Sequence, residues 1–294
     1  MKMRYISKIQ GNLKRYQKIY SSKASTNMLD GSYKSIFKGK SLNFDELREY
    51  VTGDDIKDVD WKASSRSHKL LVRQYIAEKK HNVMVIFDTN CRMLADSNGL
   101  EEKRELAIMG AGTLAYFVNR NGDEISATFS AGKSMCHVPF KSGLGHIEMI
   151  LEKYHKAVTI DNHSDINVAL EYVVRHFRRK MILILVTDLE GIRSITETNL
   201  KRLLVAHDIL LLTISDADLQ SGKVYNMEEE DYFSEFLLVD KKLIKRAADN
   251  KARMEREASE KLKKYGIANV TLDDEKELER EIIDLLNKHK LEKR

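Results

Sequence analysis

Val83-Met84-Val85-Ile86-Phe87-Asp88 and Met181-Ile182-Leu183-Ile184-Leu185-Val186-Thr187-Asp188 are two apolar runs, each closed by an aspartate. Runs of β-branched and aliphatic residues without polar alternation read as strands buried on both faces, as in a parallel sheet covered by helices. In such sheets ligands and ions gather in the crevice beyond the carboxyl ends of the strands. If the two strands are neighbours, Asp88 and Asp188 face each other there. Two close carboxylates need a cation between them or must share a proton.

Working outward from these runs, strands and helices alternate from residue 82 onward. The first strand leads to a predicted helix over about 100–119, where Leu106, Met109, Leu114 and Phe117 recur near the helical period. Strands are predicted at 123–129 and 134–138, then helices at 143–156 and 165–178. Ser164 is read as the N-cap of the latter, with Asp165 in its first turn. After the strand at 181–187 come a helix at 195–206 and strands at 208–215 and 235–239. A charged helix (241–264), a strand (267–272) and a helix (274–290) complete the chain. This alternation predicts an α/β fold: a doubly wound, mostly parallel, Rossmann-like sheet flanked by helices and joined by right-handed crossovers. Residues 1–80 read as an N-terminal extension and 81–294 as the α/β domain. Within the extension, Ile6, Ile9, Leu13, Tyr16 and Tyr20 mark an amphipathic helix over 4–20 that is expected to pack on the body. A strand is expected at 70–76.

The composition narrows the class. Hydrophobic content of 42% with 32% charged residues suits a globular chain with a full core. The longest apolar runs, at 181–186 and 209–214, are too short to cross a bilayer. No apolar segment with a small-residue cleavage site follows Met1-Lys2-Met3-Arg4, so no signal peptide is read there. Cys91 and Cys136 make no disulfide framework and lack metal-ligand spacing, so a reducing, cytoplasmic setting is expected. The net charge of +5 is modest, and with no aromatic-interleaved basic module it reads as a solvated surface rather than a nucleic-acid site. No glycine-rich phosphate cradle follows either strand, so any ATP use would come from a partner.

The loop after the first strand reads Asp88-Thr89-Asn90-Cys91-Arg92-Met93. Ser164-Asp165 opens the helix before the second strand, and Thr187-Asp188 closes that strand. In order and spacing these loops resemble a von Willebrand factor A-type domain with its metal-ion-dependent adhesion site. The upstream sequence narrows the resemblance. Gly31-x-x-x-Ser35, Phe37-Lys38-Gly39 and Phe44-Asp45-Glu46-Leu47-Arg48-Glu49-Tyr50 are followed by Gly53-Asp54-Asp55-Ile56-Lys57-Asp58-Val59-Asp60-Trp61-Lys62-Ala63-Ser64-Ser65-Arg66 and Val72-Arg73-Gln74. With the later Arg202-Leu203-Leu204-x-Ala206-His207-Asp208-Ile209-Leu210, this is similar to the bacterial family called "domain of unknown function, family fifty-eight", over about residues 31–215.

The resemblance implies a non-enzymatic adaptor. Members of that family are typically encoded beside MoxR-type AAA+ ATPases, and such pairs act as chaperone-like machines on client proteins. The A-type module reads a partner's carboxylate through a bound Mg²⁺, and the matching positions here are Asp88, Asn90, Ser164 and Asp188. The match fails at one place, since the family's Asp-x-Ser-x-Ser has become Asp88-x-Asn90-x-Arg92. Asn90 still offers a carbonyl oxygen to a hard cation. Arg92 has donors only and is expected to fold onto Asp88 or Asp188, taking over the ion's electrostatic role. The expectation is therefore a degenerate site, metal-free or only weakly binding Mg²⁺.

Asp54, Asp55, Asp60, Trp61 and Arg66 are candidates for docking a partner. The competing structural account has the charges as surface ion pairs and Trp61 as an apolar anchor onto the core. An aspartate-nucleophile phosphatase would need an acid at Asn90. The alternative from another class is a metal-dependent, phosphoesterase-like hydrolase using Asp88 and Asp188, though such chemistry asks for more clustered acids than these.

Overall fold

The computed structural model describes residues 3–19, 46–67, 69–74, 81–132, 134–217, 225–226, 231–232 and 241–292. The strand expected at 235–239 and the part of the upstream motif between Gly31 and Asp45 lie outside them. Two compact units are present: one comprises Met1–Ile36 with His81–Arg294, the other Phe37–Lys80.

Six strands form the sheet of the larger unit, in the order β10-β7-β6-β3-β4-β5. They are β3 (Asn82–Phe87), β4 (Glu124–Ala131), β5 (Ser134–Lys141), β6 (Ile182–Asp188), β7 (Asp208–Ile214) and β10 (Ala268–Leu272). Every pairing is parallel except β4 with the edge strand β5. The chain runs from β3 outward through β4 and β5, then returns to the other side of β3 for β6, β7 and β10. The strand order therefore reverses between β3 and β6, which is where a doubly wound sheet opens a crevice. Val83 pairs with Ile182 and Phe87 with Val186, so the two aspartates expected to meet are carried to the same rim.

Val83 to Phe87 and Leu183 to Val186 are fully buried because helices cover both faces. On one face lie α3 (Lys103–Arg120), α4 (Leu144–Ala157) and α9 (Leu278–Glu292). On the other lie α5 (Ile166–His176), α6 (Leu189–Ser194), α7 (Glu197–Ala206) and α8 (Lys241–Lys264). Met84, Ile86, Leu170, Leu185, Leu203 and Leu262 belong to the core beneath the second group. α3 is apolar nearly all round, as befits a helix enclosed on every side.

α1 (Arg4–Ile19) groups with this body rather than with Phe37–Lys80. Its apolar face (Tyr5, Ile6, Ile9, Leu13) is buried, as its spacing predicts. Ile9 sits so close to Gly112 of α3 that a Cβ there would lie 2.6 Å from the Ile9 Cδ1. At the N-terminus of α1, Tyr5 N and Ile6 N donate to Oε1 and Oε2 of the buried Glu148 on α4, at 2.9 and 2.8 Å. One distant carboxylate thus satisfies two orphan amides and meets the positive end of the helix dipole. Glu148→Ala is expected to destabilise the fold by about 1–3 kcal/mol, because two buried donors lose their acceptor. Hydrogen exchange at the Tyr5 and Ile6 amides should accelerate, and unchanged protection would refute the capping role.

The smaller unit pairs β1 (Glu46–Glu49) antiparallel with β2 (Leu71–Gln74), with α2 (Trp61–Ser67) between them in sequence. The Gly-Asp-Asp…Asp-Trp run proves to be turn and cap chemistry. Gly53 takes a φ of 115°, a region that suits glycine. Asp54 accepts from Val51 N at 2.9 Å, and Asp55 accepts from Lys57 N at 3.1 Å. Asp60 accepts from Lys62 N and Ala63 N at 3.1 and 3.0 Å, opening α2. Arg66 is exposed in the last turn of α2. Trp61, read as an apolar anchor, is instead 65% exposed. A further two-residue pair, β8 (Tyr225–Asn226) with β9 (Asp231–Tyr232), lies between β7 and α8 in the chain.

Candidate functional site

At the rim between β3 and β6, Asp88 N donates to Val186 O at 2.9 Å and ties the end of one strand to the other. Both aspartates are only 1% exposed. The Asp88 carboxylate accepts from Asn90 N (Oδ1, 2.9 Å) and from the Thr187 hydroxyl (Oδ2, 2.7 Å). Asp188 caps α6, accepting from Gly191 N at 2.8 Å. Gly191 is fixed by this crowding. A Cβ there would lie 1.8 Å from Thr187 Oγ1 and 2.7 Å from Asp88 Oδ2.

Arg92 folds into the crevice as its sequence position suggested, on a 3-10 turn over Cys91–Leu94 that begins after Asn90. Its Nε donates to Asp188 Oδ2 at 3.2 Å, and its Nη2 lies 3.4 Å from both Asp88 Oδ2 and Asp188 Oδ1. A second cation was missed from sequence. Lys103, the first residue of α3, is 1% exposed and donates from Nζ to Asp188 Oδ2 at 2.9 Å and to Asp216 Oδ1 at 2.5 Å. A lysine opening a helix ordinarily reads as solvated, so no local signal marks it. Asp216, just past β7, escaped notice for the same reason.

The electrostatics are asymmetric. Burial pushes the Asp88 carboxyl up, and the neighbouring Asp188 charge pushes it further. Its hydrogen bonds from Asn90 N and Thr187 and the Arg92 charge only partly offset this. Burial opposes ionisation of Asp188 too, but Lys103 and Arg92, with the Gly191 amide, outweigh it and hold that carboxyl at about 2. Burial works against the charge on Lys103, yet Asp188 and Asp216 hold its ammonium above the ordinary lysine value. Two acids a strand apart thus differ because the cations favour one of them.

The remaining sequence-predicted residues build the wall of the crevice without facing its centre. Asn90 Oδ1 accepts from Arg92 N at 3.1 Å, and its Nδ2 donates to Ser164 O at 3.0 Å. Thr89 Oγ1 donates to Ser130 O at 2.6 Å, so in the 2.9 Å contact between hydroxyls Ser164 is the donor. Asp165, not Ser164, is the N-cap of α5, accepting from Asn167 N at 2.9 Å. Cys91 Sγ lies 3.4 Å from His163 Nδ1 on the outer rim.

These residues do not fit a divalent ion. Mg²⁺ requires about six oxygens in near-octahedral array. Here Arg92 and Lys103 hold the carboxylate oxygens, Asn90 Oδ1 is spent on a backbone amide, and the Ser164 hydroxyl is committed to Thr89. Among the described residues no group of three or more His, Cys, Asp or Glu side chains is arranged to hold a metal. Nor is any helix among them long and apolar enough to cross a membrane.

Residues 46–258 match the model of the family described as "Protein of unknown function DUF58". An uncharacterized protein of Mycobacterium tuberculosis, Rv1480, is 24% identical over 191 residues, covering 64% of this chain and 60% of that protein. An uncharacterized protein of Mycobacterium bovis, Mb1516, matches to the same extent. The chain thus spans about 60% of the length of the curated relatives it matches. Among solved structures, the conserved hypothetical protein BatB from Bacteroides thetaiotaomicron is 18% identical with a TM-score of 0.46, covering 71% of this chain and 98% of that one. A von Willebrand factor type A from Catenulispora acidiphila is 8% identical with a TM-score of 0.36, covering 71% and 42% respectively. The fold assignment itself rests on the strand order and pairing.

Proposed function

The chain belongs to the DUF58 family, and from that premise we propose that it is a non-enzymatic protein-interaction module. It works in the cytoplasm with a MoxR-type AAA+ ATPase in chaperone-like maturation of client proteins. The partner is engaged at the crevice around Asp88, Arg92 and Asp188, with the exposed Trp61 and Arg66 of the smaller unit as a second contact. The observation that supports this reading is the rim itself: Arg92, Lys103 and Thr187 hold the two aspartates in a preformed polar surface at a switch point of the sheet.

The test is a binding titration of the purified chain against the MoxR-type ATPase of the same organism, with Trp61→Ala and Arg92→Ala alongside. Saturable binding that either variant weakens at least about tenfold, or about 1.4 kcal/mol, supports the module. Mg²⁺- or Mn²⁺-dependent hydrolysis of a phosphoester that disappears in Asp88→Ala would reverse it in favour of a hydrolase.

A further inference from the structure

A second hollow lies apart from the crevice of Asp88 and Asp188, over the carboxyl ends of β7 and β10 and beneath α8. Its volume is about 450 Å³, within the range of small-molecule sites. One wall is α8, where Lys251, Glu255, Ala258 and Leu262 recur at helical spacing. The other is the sheet. There Thr213 of β7 stands in register with Thr271 of β10, and Asn269 lies two residues earlier on the same face. Lys251 Nζ donates to Asp216 O at 2.9 Å and holds the upper part of α8 at the rim. From there the helix descends to Leu262, which is buried with Ile192 at the apolar end of the hollow. Asp216 and Asp273, each just past its strand, mark the mouth.

Two features of this hollow ask for an occupant. Thr213 is only 5% exposed, yet its hydroxyl makes no hydrogen bond, whereas buried hydroxyls are ordinarily paired. The Glu255 and Asp273 carboxylates form no hydrogen bond or ion pair with any described residue. Asp216 is already served by Lys103, which it shares with Asp188. Among the described lining residues Lys251 is the one cation. Even with Lys103 counted from beneath, the acids Asp216, Glu255 and Asp273 outnumber the lysines, and the hollow is net negative. We propose that it binds a small organic cation, a primary ammonium carried on a short apolar chain. Glu255 and Asp273 supply the opposing charge, and the ammonium brings three donors for charge-assisted hydrogen bonds. Thr213, one residue before the end of β7, is placed to accept one of them. The chain lies along Ala258, Ile192 and Leu262 and gains by removing its apolar surface from water. This site is independent of the docking role proposed above.

The probe is n-pentylammonium chloride, titrated into the purified chain at constant ionic strength, with n-pentanol as its uncharged counterpart. Methyl NMR signals of Ile192 and Leu262 report occupancy. They are expected to move saturably with the amine and to need at least about tenfold more of the alcohol. The double variant Glu255→Gln, Asp273→Asn should weaken the amine at least about tenfold. Both side chains are exposed, so the variant should fold. Thr213→Val keeps the shape and deletes the hydroxyl. It should weaken binding severalfold while the melting temperature stays the same or rises, because no internal hydrogen bond is lost. Methyl signals that ignore the amine, or that follow the alcohol equally well, overturn the proposal. So does full affinity in either variant. A blocked lysine, Nα-acetyl-lysine methylamide, distinguishes the source of the cation. Competition by it assigns the site to a lysine side chain of a protein, and binding of pentylammonium alone assigns it to a free amine.

Discussion

Lys103→Met is expected to lower the unfolding free energy by about 3–5 kcal/mol, the usual cost of removing one partner of a buried ion pair and leaving the other charged. Methionine keeps the apolar stem of lysine, so the loss reports on the ammonium rather than on packing. Denaturant midpoints at neutral pH measure it directly, and a loss below about 1 kcal/mol would show that Asp188 does not depend on Lys103. The pH dependence has a definite sign. Asp188 is held at about 2, below its ordinary value of 3.8. It therefore contributes stability that is fully present above the ordinary carboxylate range and is lost as pH falls through about 2. Without Lys103, the folded-state pKa of Asp188 rises, so protonation of that carboxylate begins at higher pH. Asp88 acts in the opposite sense. Its carboxyl is raised, so its ionisation costs stability at high pH and that cost is relieved as pH falls. The acid limb of the unmodified protein should thus be shallower than Asp188 alone would make it.

Gly191→Ala is expected to destabilise by about 3 kcal/mol, at the upper end of what overpacking a core position costs. The added methyl would fall 1.8 Å from the Thr187 hydroxyl oxygen and 3.1 Å from its Cβ, so the first turn of α6 must move. That movement stretches the bond from Gly191 N to Asp188 and disturbs the acceptor of both cations. Thermal or chemical unfolding measures the loss. If Thr187→Ser in the Gly191→Ala background recovers nothing while Thr187→Ala restores part of the loss, the clash is with the hydroxyl, which serine keeps and alanine lacks. Stability unchanged from the parent would mean that the approach of α6 to β6 is looser than these distances indicate.

The sheet was legible because its information is local. Val83–Phe87 and Ile182–Val186 are uninterrupted apolar runs, and two aspartates in line with them follow by strand geometry. The entry of Arg92 into the crevice was legible because an arginine so near a buried carboxylate has few alternatives. Lys103 and Asp216 were not legible. Their meeting depends on where α3 and the end of β7 sit in three dimensions, and nothing in the spacing of 103, 188 and 216 encodes it. Asn90 and Ser164 were placed at the right loops, but their hydrogen bonds turn inward to Arg92 N, Ser164 O and Thr89, a matter of side-chain orientation. Trp61, which the sequence offered both as a docking residue and as an apolar anchor, stands 65% exposed on a seven-residue helix with no buried residues.

The clamp of Glu148 on the amides of Tyr5 and Ile6 also sets an order of events during synthesis. The first helix leaves the ribosome with its amino end unsatisfied, and its acceptor is made more than a hundred residues later. The amino end of α1 is therefore locked only once β3, α3 and α4 exist to receive it.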